Sequence, residues 1–126
     1  MRQKISGGSP FEPIIGFSRA LRVENRVYLA GTAPVGAESE DAAGQTRKIF
    51  ALAEKALGEA GATFQDVVRT RIYLIRVEDW EAVGRVHGEF FSGIRPAATM
   101  ISAGLADPRM QIEIEVTARK RRRASP

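Results

Sequence analysis

The sequence predicts an α+β fold, a ββαβαββ sandwich in which two helices cover one face of a mostly antiparallel sheet. Three observations carry that expectation. Two stretches, 43–60 and 79–92, place apolar residues at helical spacing. Five short runs rich in β-branched and aromatic residues surround them. The last of these alternates strictly, with Met110, Ile112, Ile114 and Val116 opposed to Gln111, Glu113, Glu115 and Thr117. At 126 residues the chain is sized for one domain, expected over 1–118, with an irregular segment at 1–15 and a basic, disordered tail at 119–126.

In the first dozen residues Gly7-Gly8-Ser9-Pro10 and Pro13 punctuate too densely for a regular element. Strands follow at Phe17 to Arg22 and Val27 to Thr32, joined by Glu24-Asn25-Arg26, with Asn25 expected at the positive-φ position of the hairpin. Ala33-Pro34 closes the second strand and a polar loop runs through Asp41. The first helix, Ala43 to Ala60, gathers Ile49, Leu52, Ala53, Ala56, Leu57 and Ala60 on one side, and Gly61 stands where a left-handed residue ends a helix. Val67 to Arg76 reads as a strand. Asp79 caps a second helix that presents Val83, Val86, Phe90 and Phe91 and stops at Gly93. A strand at Ala97 to Ala103, a turn at Asp107-Pro108 and a strand at Met110 to Ala118 complete the chain.

Two helices cover one face only, yet the middle strand is apolar on both. Val68, Ile72 and Leu74 are expected on one side, and Val67, Tyr73 and Ile75 on the other. The second face would be an exposed apolar patch in a monomer, which predicts homo-oligomerisation through the sheet.

The formal net charge of +4 and the pI near 10 point at first to a polyanion partner. The excess is local, however. Without Arg119, Lys120, Arg121, Arg122 and Arg123, 14 basic residues remain against 15 acidic ones. A specific nucleic-acid partner is therefore not expected, although the tail supports nonspecific contact. The absence of cysteine excludes disulfides, thiolate metal sites and a cysteine nucleophile, and a single histidine excludes any site needing two imidazoles. Neither a membrane-length apolar run nor an apolar leader is present, so a cytoplasmic protein without membrane association is expected.

Few local motifs carry chemistry. His87-Gly88-Glu89 matches the H-x-E piece of zinc nucleobase deaminases but lacks the cysteines that chemistry requires. His87 lies mid-helix beside Val86 and Phe90, where a packed imidazole is the expectation. Gly16-Phe17-Ser18-Arg19-Ala20 opens a strand, which is the wrong context for a nucleophile elbow. Glu113 and Glu115 share one face of the last strand. They form a solvated polar face, or acid/base groups if oligomerisation buries them. Arg69 and Arg71 pair with acids across a subunit contact or meet an anionic ligand.

A set of seven segments in order carries a resemblance: Gly16-Phe17-Ser18-Arg19-Ala20, Val27-Tyr28-Leu29-Ala30-Gly31, Gln45-Thr46-Arg47, Asp66-Val67-Val68-Arg69-Thr70, Gly88-Glu89-Phe90-Phe91, Arg95-Pro96-Ala97 and Ile112-Glu113-Ile114-Glu115. Over roughly residues 14 to 118 the chain resembles the RidA/YjgF family of reactive-intermediate deaminases, also described as L-PSP endoribonucleases or translation-inhibitor-like proteins. The resemblance implies a chorismate-mutase-like fold, a homotrimer, and ligand sites in the clefts between subunits. It implies hydrolysis of enamines and imines to ammonia and a keto acid, with no metal or organic cofactor.

It also implies site positions: Glu113 as the catalytic glutamate that positions water, with Phe17, Ala30, Gly31, Gly84, Ala98 and Met100 lining the ligand pocket. Several depart from the family pattern. Ala98 stands where the family's carboxylate-binding arginine would be, and Phe17 replaces a tyrosine. Ala30 replaces a serine, Met100 a frequent cysteine, and Gly84 a frequent asparagine. Loss of two charge-assisted hydrogen bonds, each worth roughly 1.5–3 kcal/mol, weakens binding of a small keto or imino acid by about two to four decades unless Arg19, Arg71, Arg95 or Arg109 substitutes. Glu113 is expected across a hairpin from Ala98.

Three functions follow. The first is a homotrimer binding a weakly charged metabolite, with Glu113-dependent hydrolysis or tautomerisation. The second is an enamine/imine deaminase with a relocated arginine. The third is an RNA-binding or endoribonuclease role.

Overall fold

The computed structural model describes residues 1–121, and the C-terminal part of the basic tail, 122–126, lies outside the described residues. Six strands form one sheet: β1 (Arg2–Ile5), β2 (Ala20–Val23), β3 (Arg26–Thr32), β4 (Val67–Leu74), β5 (Ala97–Ser102) and β6 (Ile112–Arg119). Their spatial order is β1-β2-β3-β6-β4-β5. Only the β4–β5 pair is parallel, and the helix α2 (Trp80–Phe91) makes its crossover. The other long helix, α1 (Ala42–Glu59), connects β3 to β4. The α+β sandwich expected from the sequence is present, with one further strand. No helix among the described residues is long and apolar enough to cross a membrane.

Helix α1 begins at Asp41, whose carboxylate accepts the Gly44 N–H at 2.8 Å, and ends just before Gly61 at φ +81°. Its buried side, Ile49, Phe50, Ala53, Ala56 and Leu57, packs against β3 and β6. The inward residues of the sheet, Val27, Leu29, Ile72, Leu74, Ile112, Ile114 and Val116, complete the core. Phe50, Phe64, Phe90 and Phe91 meet at centroid separations of 5.0–6.3 Å. The ring of His87 packs 4.8 Å from Phe91 and 5.9 Å from Phe50, and its Nε2 lies 2.9 Å from the Thr70 hydroxyl. Burial lowers its pKa, favouring the neutral imidazole. This is the packed histidine that its sequence neighbours predict.

Several expectations are corrected. The opening segment is not wholly irregular, because Arg2–Ile5 adds to the sheet edge with Arg2 opposite Val23 and Ile5 opposite Ala20. In the β2–β3 hairpin the positive φ (54°) falls on Glu24, not Asn25. The strand containing Phe17 starts only at Ala20, since a π-helical turn, Glu12–Gly16, leads into it. Val67 and Val68 exchange faces: a bulge between Val67 and Arg69 turns Val67 into the core and leaves Val68 48% exposed. Asp79 precedes α2 but makes no capping hydrogen bond, and its Oδ2 is buried without a partner. Strand β4 ends at Leu74, two residues early. Strand β6 begins two residues late, at Ile112, and extends through Arg119, so the basic run starts inside the sheet. Beyond it, the Lys120 N–H donates to Asn25 O at 2.6 Å and the Arg121 N–H to Asp66 Oδ1 at 3.2 Å.

The helix-free face of the sheet carries Tyr28, Val68 and Ile101 at 40–48% exposure, with Ile75 at the strand end. The unfilled apolar surface expected from the sequence is therefore present, although Val68 rather than Val67 contributes to it.

Candidate functional site

Four of the seven expected site residues gather at one end of the helix-free face. Gly31 lies on β3, which shifts register against β6 between Leu29 and Thr32. This irregularity lets Glu113 reach across. A Cβ placed on Gly31 would sit 2.5 Å from Glu113 Oε2 and 3.0 Å from its Cδ, so a side chain here would push this carboxylate out of its present position. Phe17 and Ala30 line an adjoining cavity of about 820 Å³, together with Ser18, Tyr28, Arg2 and Lys4.

Arg19 belongs to the same end. Its Nη1 donates to Gly31 O at 2.8 Å and Thr32 Oγ1 at 3.1 Å, and its guanidinium lies 5.8 Å from the centre of the Phe17 ring. The residues before Phe17 fold close to it, since a Cβ on Gly7 would lie 3.1 Å from Arg19 Cγ. This N-terminal segment is tied by Glu12, whose Oε2 accepts the N–H groups of Gly7 at 2.9 Å and Ser9 at 3.2 Å. Partial burial pushes the Glu12 pKa up. The N–H donors, Ser6 and the nearby Arg19 charge outweigh it and hold the carboxyl below its ordinary value.

The two glutamates of β6 have different surroundings. Glu115 is engaged within the chain: the Tyr73 hydroxyl donates to Oε1 at 2.9 Å, and Arg71 Nη1 stands 3.8 Å from Oε2. That hydrogen bond, assisted by burial and the negative charge, raises the Tyr73 pKa. Arg71 thereby has an acidic neighbour within its own chain. Glu113 instead faces Gly31, the neighbour in sequence of the cavity-lining Ala30.

The other three expected residues lie elsewhere. Ala98 pairs with Thr70 and Met100 with Ile72, on the helix side of edge strand β5. Met100 Cε is 4.0 Å from the Cβ position of Gly84 on α2, so these three form a second cluster. Ala98 is not across a hairpin from Glu113, because β4 lies between β5 and β6 and the residue opposite Glu113 is Tyr73. Three strand spacings, about 14 Å, and the thickness of the sheet separate the two clusters in one chain.

Comparison with known proteins gives the family and agrees with the fold. The family model for endoribonuclease L-PSP matches residues 8–120. The chain belongs to the RidA/YjgF family. An uncharacterised protein of Streptomyces coelicolor is 36% identical over 121 residues, spanning 92% of this chain and 90% of its own length. A RutC family protein of Pyrococcus abyssi is 30% identical over 114 residues, spanning 86% and 90%. The crystal structure of a Mycobacterium tuberculosis member of the YjgF/YER057c/UK114 family superposes with a TM-score of 0.89 at 44% identity, covering 94% of this chain and 99% of that one.

Within the RidA/YjgF frame, the sequence carries a local signal for the tether by Glu12. Ser9-Pro10-Phe11-Glu12 is an S-x-x-E capping pattern, and the Ser9 N–H to Glu12 contact is its reciprocal bond. Gln45 stands out in the sequence only as part of the Gln45-Thr46-Arg47 segment. Its buried amide donates to Arg109 O at 3.1 Å and accepts the Gln111 N–H at 2.8 Å, fixing the entry to the strand that carries Glu113.

Proposed function

We propose that this RidA/YjgF protein assembles as a homotrimer whose inter-subunit clefts bind a small, weakly charged metabolite, with Glu113 as the acid/base group of a hydrolysis or tautomerisation. The observation that carries the reading is the division of the site. Phe17, Ala30, Gly31 and Glu113 stand at one end of the helix-free face, whereas Gly84, Ala98 and Met100 stand on the other side of the opposite edge region. Only a second copy of the chain brings both clusters to one ligand, and the exposed Tyr28, Val68 and Ile101 supply apolar area for that contact.

In such a cleft Glu113 takes a proton from water as the water attacks an imine carbon, and returns it to the nitrogen that receives the C=N electron pair. The carbinolamine then breaks its C–N bond to give a carbonyl and ammonia. In a tautomerisation Glu113 moves a proton between carbon and heteroatom. Phe17, Ala30, Ala98 and Met100 offer apolar walls and carry no anion anchor themselves, which favours a ligand of low charge against these positions, the cations of the cavity being Arg2 and Lys4 of β1.

A second reading, the enamine/imine deaminase with a relocated arginine, is favoured by one observation: Arg19 is the arginine beside Gly31. Arg71 is engaged by Glu115 and Arg109 by Asp107. Arg95 lines a different cavity. Against a full anion anchor, Nη1 of Arg19 is already shared by two oxygens and Glu12 lies close enough to interact with its charge.

The test compares hydrolysis of an enamine carboxylate generated in situ with that of its uncharged amide analogue, read as the rate above buffer. The first reading expects the amide to be preferred and Glu113→Gln to lose at least a hundredfold. Preference for the carboxylate, abolished by Arg19→Gln, would establish the second. Full activity in Glu113→Gln would overturn both.

A further inference from the structure

At the end of the sheet remote from Glu113, the structure holds a second cavity of about 830 Å³ with a one-sided charge. Its lining includes Arg95, Arg119, Lys120 and Arg121, with Asn25 and Gln65 as neutral hydrogen-bonding groups and Asp66 as the sole carboxylate among its described lining residues. The Asp66 charge is already used: Oδ2 accepts the Thr63 N–H at 2.9 Å and Oδ1 the Arg121 N–H at 3.2 Å. None of the four cations forms an ion pair among the described residues. Glu113 and Arg119 are six residues apart on β6, about 20 Å along an extended strand, so this cavity is separate from the site described above.

Two features distinguish it from a loose basic tail. First, its backbone is held. Lys120 N–H bonds to Asn25 O, Arg121 N–H to Asp66, and Arg95 N–H to Phe91 O at 2.8 Å, with Arg95 in the left-handed region at φ 55°. Second, the sheet places like charges against one another, with Arg26 of β3 directly opposite Arg119 of β6. Directly opposed like charges destabilise a strand pair, and a bound anion relieves that repulsion.

We propose that this cleft is a binding site for the phosphate groups of a small polyphosphorylated molecule. A volume of this order suits a nucleotide-sized ligand. Arginine forks match phosphate oxygens in pairs, and three arginines in the lining exceed what a monocarboxylate neutralises, while the Lys120 ammonium is directed toward Gly61, outside the lining. Free polyphosphate and a nucleoside polyphosphate share this chemistry. The inference is independent of the reading of Glu113, although Val68, which also lines this cavity, belongs to the apolar patch assigned to the subunit contact.

The test is calorimetric titration of the full chain with tripolyphosphate and, separately, with adenosine triphosphate, at constant ionic strength set by sodium chloride. The expected result is saturable binding of tripolyphosphate, one per chain. The double variant Arg95→Gln/Arg119→Gln weakens it at least tenfold. Arg85→Gln, which removes an exposed arginine paired with Glu81 on α2, changes it less than twofold, as does Arg122→Gln/Arg123→Gln. Tighter binding of the nucleotide assigns part of the cleft to a base and sugar, and equal binding assigns it to phosphate alone; both support the site. Absence of saturable tripolyphosphate binding overturns the proposal. So does a loss in Arg122→Gln/Arg123→Gln that matches the loss in Arg95→Gln/Arg119→Gln, or binding confined to long oligonucleotides.

Discussion

Gly31→Ala separates the seating of Glu113 from the stability of the fold. The added methyl would stand 2.5 Å from Glu113 Oε2 and 3.0 Å from Cδ. A carbon–oxygen contact relaxes at about 3.3–3.6 Å, so the carboxylate retreats by roughly 1 Å. Glu113 is half-buried and lies on the helix-free face, so rotation of its side chain relieves the clash without moving the core. The expected stability change is that of a surface substitution, within about 0.5 kcal/mol. A reacting group displaced by about 1 Å loses on the order of a hundredfold in rate. The paired assay is thermal unfolding together with enamine hydrolysis. A melting temperature within about 3 °C of the parent and a rate reduced about a hundredfold fit the account. A variant as active as the parent refutes the idea that Gly31 exists to admit this carboxylate. Loss of folding refutes it too, because the glycine would then serve the bulged backbone.

Three further outcomes follow from particular contacts. Burial depresses the His87 pKa, so below about pH 6.5 the unfolded chain binds a proton that the folded chain resists. Stability therefore falls as pH drops from about 6.5 towards the folded pKa, by at most about 1.4 kcal/mol per pH unit from this group, and His87→Phe flattens that part of a denaturant-midpoint profile. Gln45→Ala leaves the Gln111 N–H and the Arg109 carbonyl without their side-chain partner. It costs about 1–3 kcal/mol per group left unsatisfied, read by urea unfolding. Val68→Asp/Ile101→Asp places charge on the helix-free face at two positions 48% exposed in the single chain. The expected result is a folded chain of smaller assembly mass by sedimentation, with the circular dichroism of the parent.

What was legible in the sequence divides along physical lines. Helix α1 was readable because apolar spacing, the Asp41 turn region and Gly61 agree. Strand β6 was readable because its core side is wholly apolar and its other side wholly polar. β1 was not, since four residues at a sheet edge need only one buried side chain, Ile5, to pay their way, and the Gly/Pro-rich stretch behind them masks the pattern. The Val67–Val68 exchange was hidden because two valines in succession carry no phase, and a bulge decides which turns inward. At the site, the residue types came from the family likeness. Their division into two clusters came from the strand order β6-β4-β5, which sequence order does not reveal. The seat of Glu113 depends on a register shift that no local pattern encodes.

The central claim is that the site is shared between chains, and native mass spectrometry of the purified protein tests it most directly. The account predicts a species of three times the 13.8 kDa chain mass, dissociating to single chains in Val68→Asp/Ile101→Asp with loss of enamine hydrolysis. A monomer that hydrolyses the enamine at the full rate would contradict it.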